Sequence, residues 1–415
     1  MKVALITFYK KIYNSIAISN GFSFFRHLIE GEDIFVCLEK TNKEELRQQL
    51  EGYDAVYCSI SFFKELDYIG PLIQENWIIG GPLVEHCGEH LKRRFKCTVV
   101  DKPFEAYRQI PLSSTFTDYW HDKMHLLSYE NSPVIYNCSI GKGCNWGKCK
   151  FCNFSIYEGY RYKRSNVESI ISGLRENKNG TLIIHFCISS STPDILQGLL
   201  EYQPVLEKLT TYSELYARAD KQIIEISKNT KALKGFTFVI GLEAFSQRAL
   251  NILGKGIQLS DVIKLTAIIV EKGGSVRLSI MDHYPFLTLD MAKESKKTIE
   301  ELSKIPQTPD DALKKATAGM SVFNNGITAW PTQEIARNFS SHVKPFPFSR
   351  LYSDFNGIGW NCKIDRNSEA FKANRMISEY LYEKNITLIG EDFISLEKPK
   401  IVKKIGKLFS SLTSS

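Results

Sequence analysis

The chain has 415 residues, of which 43% are hydrophobic and 12% aromatic, so it can bury the cores of two or three domains and is not a disordered or fibrous protein. Its 53 basic and 46 acidic residues are mixed along most of the sequence, so the net charge of +7 is weak evidence for an acidic partner. No apolar run reaches the roughly 18–20 residues of a membrane-spanning helix, and the N-terminus lacks a signal-peptide cleavage site. We expect a cytoplasmic protein.

The first part of the chain alternates short apolar runs with amphipathic stretches, a pattern typical of strand and helix units on a parallel sheet. Strands are predicted at Lys2–Phe8, Asp33–Leu38, Ala55–Ile60, Trp77–Gly80 and Cys97–Val100, with helices at Glu44–Leu50 and Val84–Arg93. This pattern predicts a Rossmann-like, doubly wound domain over residues 1–115. The glycine turn that follows Trp77–Gly80 is a place where the backbone could approach a ligand, although an ordinary turn explains it equally well.

A polar stretch over 101–132 predicts a linker, and a second alternating region follows. Strands are predicted at Pro133–Asn137, Thr181–Cys187, Leu215–Arg218, Gly235–Leu242 and Ser275–Met281. Helices are predicted at Val167–Lys178, Asp194–Leu200, Gln247–Leu253, Ser260–Glu271 and Leu289–Leu302. Residues 130–345 are therefore expected to form a partial (β/α)6 barrel, whose ligands bind at the carboxyl ends of the strands. Residues 346–415 form a C-terminal extension with a basic tail at Lys398–Lys407.

Four of the ten cysteines lie within fifteen positions, directly after a predicted barrel strand. Cys144, Cys149 and Cys152 are separated by four and then two residues, and five residues separate Cys138 from Cys144. This segment is too short for a disulfide framework, so ligation of a metal or of an iron–sulfur cluster is the natural interpretation. Structural zinc would need all four thiols in a spacing that matches no common zinc knuckle. A fully ligated electron-transfer cluster would use the same four, whereas three ligands would leave one iron open for chemistry.

The glycine before Cys144 and the aromatic Phe151 before Cys152 resemble the cysteine loop of the radical S-adenosylmethionine (SAM) superfamily. The usual first gap in that family is three residues, and here it is four. The resemblance implies a [4Fe-4S] cluster on Cys144, Cys149 and Cys152, with Cys138 as a spare. It also implies reductive cleavage of SAM to a 5′-deoxyadenosyl radical, fed by an external flavodoxin-like or ferredoxin-like electron donor.

A second segment, Gly241-Leu242-Glu243-Ala244-Phe245-Ser246-Gln247-Arg248, is similar to the SAM-binding turn of the same superfamily. The resemblance implies that Glu243 accepts hydrogen bonds from SAM hydroxyls, that Ser246 and Arg248 lie close to SAM, and that Arg248 clamps the SAM carboxylate. A guanidinium fork suits that task. By the same resemblance Arg218 corresponds to a SAM-facing arginine, although an ion pair with Asp220 explains it nearly as well. Phe151 is expected to line the cofactor site, although an ordinary place in the core explains it equally well.

The N-terminal domain resembles the cobalamin-binding domain of many of these enzymes, with two departures. The Asp-x-His-x-x-Gly pattern that supplies a histidine ligand to cobalamin is absent, and Lys102-Pro103-Phe104-Glu105 stands where Gly-Glu-Gly-Glu is usual. We expect an eroded cobalamin site. Because some cobalamin-dependent radical methyltransferases lack that histidine, bound cobalamin stays an alternative.

The first hypothesis for the reaction is Cα epimerisation of a ribosomally made precursor peptide, with a thiol as hydrogen donor. Cys362, in a glycine-rich segment after the barrel, is the first candidate donor, and Cys187, at the end of a predicted strand, is the second; an inert buried thiol explains each about as well. Backbone excision or rearrangement and cobalamin-dependent C-methylation are the alternatives. We expect no nucleic-acid partner, because no basic patch interleaved with aromatics is present. A non-catalytic iron–sulfur protein would need no SAM site.

Overall fold

The computed structural model of the chain is a mixed α/β structure in which most strand neighbours are parallel. It describes residues 1–12, 15–18, 29–60, 63–101, 134–139, 144–152, 182–187, 190–281, 284, 286–308, 319–324, 328–329, 343–345, 360–362, 367–386 and 388–389.

The N-terminal region is a parallel sheet with helices in its connections. Its elements are β1 (Val3–Ile12), β2 (Ser15–Ile18), β3 (Glu32–Cys37), α1 (Lys43–Leu50), β4 (Ala55–Ser59), α2 (Phe63–Ile69), β5 (Trp77–Gly80), α3 (Pro82–Arg94) and β6 (Thr98–Val99). The parallel strands lie in the order β3-β1-β4-β5-β6. This is a doubly wound order, and in sheets of this kind ligands bind at the switch point, here between β1 and β4.

The second region is a row of parallel strands joined by helices. Its elements are β7 (Val134–Ser139), β8 (Leu182–Cys187), α4 (Pro193–Glu201), α5 (Gln203–Leu209), β9 (Thr210–Ala217), α6 (Lys221–Asn229), β10 (Phe236–Glu243), α7 (Gln247–Ile252), α8 (Leu259–Glu271), β11 (Ser275–Ile280), α9 (Leu289–Ser303) and β12 (Gly319–Asn324). Strands β7 to β12 are parallel neighbours in chain order. The predicted fold class, a Rossmann-like domain followed by a partial six-stranded barrel, is confirmed.

The remaining described elements follow the barrel. They are β13 (Thr328–Ala329), β14 (Val343–Pro345), β15 (Trp360–Cys362), α10 (Glu369–Glu383) and β16 (Leu388–Ile389). Strands β13, β15 and β14 form a small antiparallel sheet. Strand β16 pairs in parallel with β12, and α10 packs on α9, so the C-terminal segment adds to the barrel.

A hairpin that the sequence pattern does not predict joins the two sheets. Strand β1 pairs antiparallel with β2, and β2 pairs in parallel with β7. The two regions therefore share one continuous sheet. The predicted linker and the predicted helix at Val167–Lys178 lie outside the described residues, so the proposed domain boundaries stay predictions.

Alternate side chains of the N-terminal strands enter two different cores. Ala4, Ile6 and Phe8 pack into a core that belongs to the N-terminal region. Val3 and Leu5, which point to the other face of β1, join the large core of the barrel. The N-terminal sheet therefore packs one face against the barrel. Within the described ranges, every helix is too short or too polar to cross a lipid bilayer.

Candidate active site

The cysteine loop over residues 144–152 follows β7 and carries three partly buried cysteines, Cys144, Cys149 and Cys152. The backbone N–H of Cys152 donates to the carbonyl of Cys149 at 3.2 Å, which closes a tight turn between these two cysteines. Cys138 lies within β7, in register with Phe186, whereas the sequence prediction ended that strand at Asn137. Cys138 therefore belongs to the strand and the other three cysteines to the loop.

The loop is docked on the segment that follows α7. Lys150 donates its backbone N–H to the carbonyl of Leu253 at 2.9 Å, and the Trp146 indole N–H donates to the carbonyl of Gly254 at 2.9 Å. The indole lies so close to Gly256, a residue with φ of 62°, that a Cβ there would overlap the ring. These contacts hold the cysteine loop against the end of β10 and α7.

Arg218, directly after β9, lies between the loop and this segment. Its guanidinium carbon is 4.4 Å from the centroid of the Trp146 ring, and its Nη2 donates to the carbonyl of Lys255. Burial lowers the pKa of Arg218, and the nearby Cys149 and Cys144 oppose that effect. The structure therefore brings Arg218 to the cysteine loop, and its contact with SAM stays a prediction.

Glu243 ends β10 in a left-handed backbone conformation, with φ of 67°. Its carbonyl accepts hydrogen bonds from the Met281 N–H and the Tyr284 hydroxyl, which hold this unusual conformation in place. Its carboxylate Oε1 is 2.8 Å from the Lys255 Nζ. A Cβ on Gly241 would lie 2.6 Å from that carboxylate oxygen and 2.7 Å from Nζ, so glycine makes room for the ion pair.

The Glu243–Lys255 pair is largely buried, with side chains 11% and 13% exposed, and it adjoins the cysteine loop. Burial raises the pKa of Cys149, while the charges of Lys255 and Arg218 oppose the increase. Burial also disfavours the charged form of Lys255, but Glu243 and Cys149 outweigh it and raise the pKa of the lysine. Two cations, Lys255 and Arg218, thus act on the Cys149 thiol.

Ser246 and Arg248 are directed to a different partner. The Ser246 hydroxyl donates to Glu294 Oε2 at 2.8 Å and caps α7 by accepting from the Ala249 N–H. Arg248 Nε donates to the same carboxylate at 3.1 Å, and its side chain is 54% exposed. Glu294 on α9 therefore accepts hydrogen bonds from the first residues of α7. The predicted contact of Ser246 and Arg248 with SAM stays a prediction.

The other predicted site residues are placed as follows. Phe151 packs against the barrel core, and Lys255 Nζ is 5.8 Å from the centroid of its ring. Cys187 is the last residue of β8, at the barrel mouth, and Cys362 ends β15 in the small antiparallel sheet. The side chains of these two cysteines lie outside the described residues, so their role as hydrogen donors stays a prediction.

Sequence reasoning took Trp146 only as an aromatic lining the cysteine loop, and it assigned no role to Lys255, Tyr284 or Glu294. A signal for Lys255 was present, since a lysine between two glycines directly after a helix indicates a tight turn that approaches another backbone. No comparable signal marks Tyr284 or Glu294, which reach the site from 41 and 48 residues away. Among the described residues, no group of three or more His, Cys, Asp or Glu side chains converges to hold a single metal ion.

No protein-family model matches the chain, and no curated protein matches it in sequence. Solved structures with the same fold do exist. The cobalamin-dependent S-adenosylmethionine radical enzyme OxsB, with aqua-cobalamin and S-adenosylmethionine bound, superposes with a TM-score of 0.62 at 14% identity. That match covers 90% of this chain and 66% of the OxsB chain, so the present chain spans about two thirds of that protein.

The radical S-adenosylmethionine methyltransferase TsrM from Kitasatospora setae, with cobalamin and a [4Fe-4S] cluster bound, superposes with a TM-score of 0.59 at 10% identity. The match covers 96% of this chain and 93% of TsrM. A second TsrM structure, with tryptophan substrate and a SAM analogue bound, gives the same TM-score over 95% of this chain and 92% of TsrM. The chain therefore has the fold of the cobalamin-dependent radical SAM enzymes, in which a Rossmann-like domain precedes a radical SAM barrel.

Proposed function

We propose that this protein is a radical SAM enzyme whose [4Fe-4S] cluster is held by Cys144, Cys149 and Cys152. The observation that carries the proposal is the meeting of the cysteine loop with Arg218 and with the buried Glu243–Lys255 pair at the carboxyl ends of barrel strands. That edge of a (β/α) barrel is where active sites form. The three cysteines, Arg218 and Glu243 were singled out from the sequence, whereas Lys255 was not.

The thiols of the loop fit a cluster better than a mononuclear site. A four-iron cluster takes its thiolates on different irons, so its ligands need not converge on one point. Burial raises the pKa of Cys149, and the charges of Lys255 and Arg218 act in the opposite direction, toward the thiolate that ligates iron. Three cysteines leave one iron free of protein, and there the cluster would supply one electron to SAM, yielding methionine and a 5′-deoxyadenosyl radical.

Glu243 is the strongest candidate for a SAM contact among the remaining residues. Its position is fixed by two hydrogen bonds to its carbonyl, and the described residues bond only one of its two carboxylate oxygens. A carboxylate held in this way can accept hydrogen bonds from ribose hydroxyls at the barrel mouth. The proposed roles of Arg218, Phe151, Ser246 and Arg248 toward SAM rest on the resemblance.

The N-terminal sheet offers a place for cobalamin. The hydroxyls of Thr7 on β1 and Ser59 on β4 are buried, and neither has a hydrogen-bond partner among the described residues. They belong to the two strands that flank the switch point, and they alternate with Ile6 and Cys58 of the N-terminal core. Gly81, directly after β5, lies against Ser59, since a Cβ on Gly81 would be 2.6 Å from Ser59 Oγ. Buried hydroxyls without partners favour a polar ligand at this crevice.

These hydroxyls support bound cobalamin more strongly than the sequence alone suggests, and cobalamin would supply a methyl carrier. We therefore propose cobalamin-dependent methylation of a carbon atom as the first candidate reaction, ahead of peptide epimerisation. The epimerase hypothesis rests on Cys362 and Cys187, and none of the similar solved structures adds support for it. An external flavodoxin-like or ferredoxin-like protein would supply the electrons.

The test is anaerobic reconstitution of the full chain with iron and sulfide, followed by incubation with dithionite and SAM. We expect 5′-deoxyadenosine from the wild type and none from Cys149→Ala, with Cys97→Ala as the matched control because Cys97 lies in the N-terminal region. A wild type that carries an intact cluster and yields no 5′-deoxyadenosine would refute the assignment.

Cobalamin is tested separately by titration of the protein with hydroxocobalamin. We expect a bound cobalamin spectrum for the wild type and weaker binding for Ser59→Ala, which removes a hydroxyl that lacks a partner and should leave stability unchanged or slightly higher. Thr266→Ala, which removes a hydroxyl already bonded to the Val262 carbonyl, is the control. If the wild type binds no cobalamin, cobalamin-dependent methylation is ruled out and peptide epimerisation becomes the first candidate reaction.

A further inference from the structure

A second cluster of charged side chains lies inside the barrel. Glu214 on β9 forms an ion pair with Arg277 on β11, and Glu214 Oε1 is 3.7 Å from His185 Nε2 on β8. The Tyr216 ring lies beside them, with its centroid 5.5 Å from that of His185. The side chains of His185, Glu214 and Arg277 are 23%, 15% and 19% exposed. The group is therefore enclosed but within reach of solvent.

Strand alternation places this cluster on the inner face of the barrel. The neighbours Ile184, Phe186, Leu215, Val276 and Leu278 are fully buried in the core between sheet and helices. Side chains one position away point to the opposite face. His185 is in register with Glu214 on the neighbouring strand. Tyr216 and Arg277 share the next level, because both are in register with Val239 on the strand between them. The four residues therefore occupy adjacent levels of the interior.

The same inner face leads up to the candidate active site. Glu214 lies four residues before Arg218, and Val239, at the level of Arg277, lies four before Glu243. Four strand residues span about 13 Å. A molecule of moderate size could therefore contact the charged cluster at one end and present a carbon atom at the barrel mouth with the other.

The chemistry of the cluster is unusual for a barrel interior, which branched apolar side chains normally fill. A buried ion pair does not raise stability relative to well-packed apolar residues, so stability does not account for Glu214 and Arg277. A carboxylate beside a guanidinium fork is complementary to a ligand that carries an ammonium and a carboxylate close together.

We propose that Glu214 and Arg277, with His185 and Tyr216 beside them, bind the zwitterionic end of a small substrate such as a free α-amino acid. Glu214 accepts from the α-ammonium and Arg277 donates to the α-carboxylate. The proposal rests on the proposed radical SAM function, for which it names the substrate class. A residue inside a peptide carries neither charge and does not match the cluster.

The experiment measures binding of the common free L-α-amino acids to the reconstituted full-length enzyme by ligand-observed NMR, beside their N-acetyl methylamide derivatives. At least one free amino acid should bind, and its neutral derivative should bind about tenfold more weakly or worse. Glu214→Gln and Arg277→Met should each weaken binding of the free form by about tenfold or more. Asp290→Asn, which breaks an exposed pair with Lys293, should not.

A double variant keeps the test interpretable if the single variants misfold. Glu214→Met combined with Arg277→Met replaces the pair by apolar side chains, which buried sites tolerate, so it should fold and yet not bind. The proposal is overturned if no free amino acid binds, if the neutral derivatives bind equally well, or if the folded double variant binds like the wild type. Formation of 5′-deoxyadenosine without any amino acid reports on the proposed function alone, so the two failures are distinguishable.

Discussion

The Glu243–Lys255 pair is the residue-scale feature on which the site depends. Both side chains are mostly buried, and the pair joins the end of β10 to the turn that supports the cysteine loop. Removing one partner leaves the other charge buried without compensation, a cost of about 3–5 kcal/mol. Lys255→Met in the apoprotein should therefore lose stability of that order in urea unfolding.

The double variant Glu243→Gln, Lys255→Met provides the control for this prediction. Because it removes both charges together, it should recover most of the stability that Lys255→Met loses. If Lys255→Met is as stable as the wild type, the Glu243–Lys255 pair is not buried from water in solution.

Glu294 gives a prediction of pH dependence. Burial raises its pKa, but hydrogen bonds from Ser246, Arg248 and the Gln247 backbone outweigh burial, so the net pKa lies below its ordinary value. A lowered folded-state pKa contributes stability above the unfolded value of about 4.3, and that contribution is lost as the pH falls through the folded pKa. Glu294→Gln removes the charge and the contribution with it.

Unfolding of the wild type and Glu294→Gln in urea measures this difference. It should be largest near neutral pH and should shrink as the pH falls below about 4. A difference in stability that grows on acidification would contradict the assigned hydrogen bonds. Lys293→Met, one residue away and in an exposed pair, should show a small difference at every pH.

At the scale of elements, the cysteine loop depends on the turn over residues 254–256. Gly256→Ala would force a Cβ into the Trp146 indole and strain a φ of 62°. We expect the loop to leave its place and the reconstituted protein to bind less iron. Gly273→Ala is the matched control, because its φ is 82° but its nearest neighbour, Lys234 Cβ, would be 3.7 Å away.

Both variants carry the backbone cost of about 1–2 kcal/mol for a left-handed residue, so their unfolding curves should shift similarly from that source. Only Gly256→Ala should lose iron, measured against protein after reconstitution. Equal iron content in the two variants would show that the turn does not support the loop.

The sequence predicts elements whose signals are local. Apolar runs such as Trp77–Gly80 and Ser275–Ile280 mark buried strands, and Ser246 marks the start of α7. The three loop cysteines and Glu243 could be found because their spacing and their neighbours form local patterns. Arg248 shows the limit, since its partner Glu294 lies 46 residues later and only packing of α9 beside α7 brings them together. The hairpin strand β2 was missed because its partner β7 is more than a hundred residues away.

At the scale of the whole molecule, one strand serves two cores. Leu5 and Ile6 are adjacent on β1 and almost fully buried, at 1% and 2% exposure, but Leu5 packs into the barrel core and Ile6 into the N-terminal core. Each substitution by alanine should cost about 2–5 kcal/mol. Leu5→Ala should destabilise the barrel core, and Ile6→Ala should destabilise the N-terminal core.

Hydrogen exchange measured by mass spectrometry distinguishes the effects of Leu5→Ala and Ile6→Ala. Leu5→Ala should raise exchange in barrel segments that share its core, whereas Ile6→Ala should raise it chiefly within residues 29–99. If both variants loosen only the N-terminal region, the barrel does not depend on β1. If Leu5→Ala loosens the barrel, the face of β1 that carries Thr7 is part of one unit with the candidate active site, and a ligand bound beside Thr7 would stabilise both regions together.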